Sequence, residues 1–151
     1  MKQILKSPMV NAICISLFTI FYTLIFIIAN KNIDFKDSVN YENASSLWAL
    51  WLNFLAAGHQ LYIAYVLAAV TMLVVVLLLL RRHPYDEYHT SKLTHCLVVA
   101  TILTMIAIAI FYVLILYDPN NIIEKFTLFI VIHWATVVFA NLTYVLLCRW
   151  R

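Results

Sequence analysis

The sequence predicts an all-α integral membrane protein: a four-span antiparallel helical bundle, both termini in the cytoplasm, with an outer interfacial helix before span two. Three observations carry this expectation. The chain has 151 residues, 65% of them hydrophobic and only 11% charged, and its mean hydropathy is +0.93; soluble domains run at roughly 45–50% apolar and about 25% charged. Four runs, about 9–30, 61–80, 93–117 and 126–148, reach the roughly 20 apolar residues needed to cross a hydrocarbon core of about 30 Å. Lysine and arginine are distributed unevenly between the segments that join those runs.

That asymmetry sets the expected orientation. Lys2, Lys6, Arg81, Arg82, Lys92, Arg149 and Arg151 fall on one side and Lys31, Lys36 and Lys125 on the other, seven against three. The richer side is cytoplasmic under the positive-inside rule. The net charge of +3 is thus a topology signal rather than a nucleic-acid footprint. The first run is too long for the apolar region of a secretory signal and is read as an uncleaved anchor. The whole chain, 1–151, is expected to be one transmembrane domain.

Span one carries Ser16, Thr19 and Thr23 on one helical face, a small and hydroxyl-bearing stripe of the kind that packs against another helix. After the loop comes a length problem. Ser46 to Leu80 is proline-free, and as one helix it would be about 50 Å long at 1.5 Å per residue, too long for one span even at a steep tilt. If Arg81-Arg82 anchors the cytoplasmic end, 61–80 fills the membrane and 46–57 lies at the outer interface, with Trp48 and Trp51 as anchors. Gly58, the single glycine of the chain, is then the hinge that ends the surface helix. The alternative is one long helix that protrudes and is covered by a partner.

The third helix is expected to begin at Pro84, with Asp86 and Glu87 in a first turn where the helix dipole favours acids. Thr101, Thr104 and Ile108, together with Thr94 and Leu97, form its expected packing seam. Asp118-Pro119-Asn120-Asn121 is a strong outer turn into span four, which ends beside Trp150 as an inner interface anchor.

Candidate functional groups are few. No Asp, Glu, Lys or Arg falls clearly inside a span and no proline or glycine interrupts one, which argues against pumps, ion-coupled transporters and voltage sensors. His133 is the deep ionisable residue, with Thr136 on or beside its face, and His59 and Gln60 stand at the mouth of the bundle. A histidine at that depth either bonds a neighbouring threonine, tyrosine or carbonyl, or ligates a haem, binds a metal or relays protons. A haem shared by His133 and His59 would need the two at one depth, which the Arg81 anchor disfavours. No metal motif, nucleophilic triad or phosphate-binding loop is legible, and no cofactor is expected. The sequence therefore points to a non-enzymatic membrane subunit that packs against copies of itself or another membrane protein. An oligomeric pore lined by span three, and a haem- or quinone-binding redox protein using His133 and His59, are the alternatives.

Overall fold

The computed structural model describes residues 7–32, 46–80, 85–117, 119 and 122–149. Five α-helices make up almost all of them: α1 Pro8–Asn32, α2 Ser46–Ala56, α3 Gln60–Leu79, α4 Glu87–Tyr117 and α5 Ile122–Arg149. Four of these, α1, α3, α4 and α5, are long and apolar enough to cross a membrane. Residues that carry readings from the sequence but lie outside the described ones are Lys2, Lys6, Lys36, Arg81, Arg82, Pro84, Asp118, Asn120, Asn121, Trp150 and Arg151.

Helix α5 is the centre of the assembly. It packs against α4, α3 and, over a shorter stretch, α1, while α1 pairs with α3. Two apolar clusters fill the interior. One gathers Ala12, Ile15, Val74, Leu78, Tyr85, Tyr144, Val145 and Cys148; the other gathers Phe26, Ala64, Leu67, Ile130, Trp134 and Val138. The first lies at the end that holds the start of α1 and the close of α5, and the second lies toward the α2 end.

The stretch from Ser46 to Leu80 is two helices, not one. α2 stops at Ala56, and Gly58 adopts φ +74°, a left-handed conformation that costs other L-residues. The Gly58 N–H donates to the Leu55 carbonyl at 2.9 Å and the His59 N–H to the Phe54 carbonyl at 3.2 Å. This pair of bonds is the Schellman closure that satisfies the last carbonyls of a helix. α2 is held at the first turn of α5, where the Trp51 Nε1–H donates to the Glu124 carbonyl at 3.1 Å and Lys125 Nζ lies 5.9 Å from the centre of the Trp48 ring. Leu52 and Leu55 are fully buried beneath it.

The described part of α4 begins at Glu87, and the Asp86 carboxylate accepts the His89 N–H at 2.8 Å as its N-cap. Thr94, Leu97 and Thr101 are exposed, Thr104 and Ile108 are half-buried, and Ala100 is the buried residue of the helix. The face turned to α5 runs through Leu93, Cys96, Ala100, Thr104, Ala107 and Phe111, each step three or four residues, and it places two alanines where the backbones approach.

A Cβ built at Gly58 meets nothing within 4 Å, so substitution there acts on backbone conformation alone. Gly58→Ala is expected to cost about 1 kcal/mol, Gly58→Val more, and Gly58→Asn less because asparagine tolerates the left-handed region. Unfolding in graded SDS, followed by far-UV circular dichroism, checks that order.

Candidate functional site

A polar side chain inside a spanning helix has no water to bond, so it must find a protein partner or its own backbone. The threonines show the second solution. Thr23, Thr94, Thr101, Thr136 and Thr143 each donate to the carbonyl four residues earlier, at 2.6 to 2.9 Å. A hydroxyl satisfied in this way does not report which face of its helix is packed. Thr101 and Thr94 can therefore stand exposed, and Thr136 half-buried, without cost.

Three groups of polar residues do meet across helices. At the end nearest the start of α1, Asn11 Nδ2 lies 3.3 Å from Asn141 Oδ1 and 3.4 Å from the Tyr85 hydroxyl, while Asn141 Nδ2 donates to the Val137 carbonyl at 3.0 Å. The Tyr85 ring meets Tyr144 edge-on at 5.6 Å. α1, α5 and the residue leading into α4 are joined there.

Two turns further along α1, Thr19 and Thr71 form the second group, with hydroxyl oxygens 3.0 Å apart. Thr71 donates to the Leu67 carbonyl at 2.8 Å, and Trp134 Nε1 reaches Thr19 Oγ1 at 3.4 Å. These contacts fix the direction of every proton. A carbonyl only accepts, so the Thr71 proton is committed to Leu67 and Thr19 must donate to Thr71. An indole only donates, so Thr19 accepts from Trp134. The result is a one-way chain from α5 through α1 to α3, and Trp134, Thr19 and Thr71 are all buried.

The third group is Tyr22 and His133, joined from the Tyr22 hydroxyl to His133 Nδ1. Phe129 lies nearly parallel to the imidazole, with centroids 6.2 Å apart and planes 19° apart, and Phe18 meets it edge-on at 5.6 Å. Trp134 sits beside Tyr22 and Phe26 at 5.9 and 5.8 Å. His133 is half-buried, with the rings of Phe129, Phe18 and Tyr22 around it.

The remaining residues singled out from the sequence are dispersed. His59 is exposed and touches the rings of Phe54 and Tyr62, whereas the adjoining Gln60 is buried. No contact joins His59 to His133 among the described residues. Ser16 and Thr23 are half-buried beside the buried Thr19; this stripe faces α3 and α5 rather than lipid. Trp48 and Trp51 are half-buried against α5. Among the described residues no three His, Cys, Asp or Glu side chains converge as metal ligands do. A shallow recess at the start of α4, lined by Glu87, Thr90, Ser91, Thr94 and His95, is formed by one helix alone.

Sequence reasoning missed Asn11, Tyr22, Thr71, Trp134 and Asn141 as partners. A usable signal existed for two of them: an asparagine in a span is as costly as a histidine, and Asn11 and Asn141 sit at matching depths if spans one and four run oppositely. Comparison with family models, with curated proteins and with solved structures finds no match to this chain.

The direction of the Trp134–Thr19–Thr71 chain makes its members unequal. Thr19→Val strands the Trp134 N–H and removes two bonds, whereas Thr71→Val removes one acceptor and leaves Thr19 free to bond its own backbone. Thr19→Val is expected to destabilise by about 1–2 kcal/mol and Thr71→Val by about 0.5–1 kcal/mol. A double-mutant cycle measured by SDS-induced unfolding in bicelles should return positive coupling between the two sites.

Proposed function

We propose that the chain is a four-span membrane subunit, non-enzymatic and built for assembly with copies of itself or with another membrane protein. The observation that supports this most is the state of α4. This helix has 31 residues, yet Ala100 is its one buried residue, and α5 is its principal neighbour. Val98, Ile102, Met105, Ile106 and Val113 all face outward. At about 46 Å it also exceeds the hydrocarbon thickness, so one helix presents a membrane-depth face and a polar stub with Tyr88, Lys92 and His95 exposed.

The polar groups of the interior support the non-enzymatic part of the reading, since those of the Asn11, Thr19 and Asn141 layers are consumed in bonds to one another. The antiparallel arrangement is supported by contacts between α4 and α5, in which Phe111 lies against Phe126 and Phe129 while Tyr85, just before α4, lies against Tyr144. The cytoplasmic placement of both termini rests on the lysine and arginine count. The interfacial placement of α2 rests on Trp48 and Trp51 at the first turn of α5.

Cysteine cross-linking in native membranes tests the assembly reading. In a background with Cys14, Cys96 and Cys148 replaced, Thr101→Cys or Met105→Cys should give a cross-linked species with a short bifunctional maleimide, and the buried Ala100→Cys should not. Monomers alone from both outward positions would defeat the proposal. Thr101→Leu with Thr104→Leu should shift the oligomer profile in mild detergent. Solute flux through liposomes holding the purified protein would favour a pore instead.

A further inference from the structure

We infer that the open edge of the His133 ring is a binding site for a lipid-soluble quinone, which accepts a hydrogen bond from Nε2. The inference stands apart from the assembly reading and does not require a second chain. His133 has one hydrogen-bond partner among the described residues, Tyr22, and that bond uses Nδ1. A phenol is the stronger acid and an imidazole nitrogen the stronger base, so Tyr22 donates and Nδ1 accepts. In the neutral ring the remaining proton then sits on Nε2, where the described residues offer no acceptor.

Depth decides what can satisfy it. His133 lies within one turn of the midpoint of α5, which spans Ile122–Arg149. Lipid headgroups and ester carbonyls lie about 15 Å from the centre of a 30 Å hydrocarbon layer, out of reach of this nitrogen. A polar N–H left without a partner there costs several kcal/mol. The ligand must therefore enter from the hydrocarbon and carry an acceptor oxygen.

Shape narrows the class further. Phe129 lies nearly parallel to the imidazole and Phe18 meets it at close to a right angle, so aromatic carbon flanks the ring that carries this nitrogen. Phe129 is itself stacked on Phe111 of α4 at 5.2 Å and 29°, which extends a wall of aromatic carbon beside that ring. A flat ring bearing a carbonyl oxygen lies against such a wall and points its oxygen at Nε2. A quinone has this form, and its isoprenoid tail stays in the lipid.

The test uses the full chain in phosphatidylcholine nanodiscs, with a benzoquinone carrying a ten-carbon tail as the probe. In a variant retaining Trp134 as its one tryptophan (Trp48→Phe, Trp51→Phe, Trp150→Phe), quenching should saturate. In the wild-type chain labelled with 15N-imidazole histidine, the His133 Nε2 resonance should move with the same midpoint. His133→Phe should weaken binding by about tenfold or more, and His133→Gln, whose amide N–H can take the place of Nε2–H, should retain most of it. Quenching that rises linearly and equally in wild type and His133→Phe overturns the inference. So does an Nε2–H already hydrogen-bonded in quinone-free discs and unmoved by the probe.

Discussion

The hydrogen-bond chain from the Trp134 indole through Thr19 and Thr71 to the Leu67 carbonyl sets how α1, α3 and α5 face one another. In lipid, apolar side chains gain little by touching each other rather than acyl chains, so the hydrophobic effect that sorts a soluble core is nearly silent. Rotating α1 or α5 by a single residue position would part the Trp134 N–H from Thr19 and leave it unpaired in hydrocarbon, whereas the two threonine hydroxyls could still bond their own backbones. The indole therefore favours one rotational setting. The two apolar clusters then fill the space on either side of the chain, and the Asn11–Asn141 contact repeats the same restriction at one end of the bundle.

The other end is organised by length rather than by polarity. Thirty-five residues without a proline could have formed one rod, since the residues on either side of Gly58 favour helix. The left-handed Gly58 stops it, and the rings that follow pack as a run: Trp51 on Phe54, Phe54 beside His59, and His59 beside Tyr62, at 5.4 to 5.8 Å. α2 is thereby returned to the start of α5, where the Trp51 indole occupies the Glu124 carbonyl.

Much of this architecture is legible in the sequence because it depends on length and on rare residues. Hydrophobic runs of span length give the four helices, and a lone glycine in an overlong stretch gives the break. Facing is less legible. Every spanning helix is apolar on all sides, so no moment points to the interior, and threonine misleads because its hydroxyl is equally content on its own backbone. On α4 the exposed Thr101 stands one position from Ala100, the buried residue of the helix, for that reason. Thr19 lay in a stripe marked as packing, yet its partner Thr71 was hidden among valines and leucines. His133 was marked by its cost in the membrane, whereas Tyr22 gave no sign, since tyrosines are ordinary in such helices.

The central place of α5 has a consequence in time. It follows the other four described helices in chain order, and it is the principal neighbour of α4. α1 and α3 can pair as soon as both have entered the bilayer. α4 must wait for its principal neighbour until the 28 residues of α5 follow, roughly 1–6 s at about 5–20 residues per second. During that interval its long apolar face is covered by lipid or by the insertion machinery. The nascent protein is thus most open to association with other membrane helices just before α5 arrives.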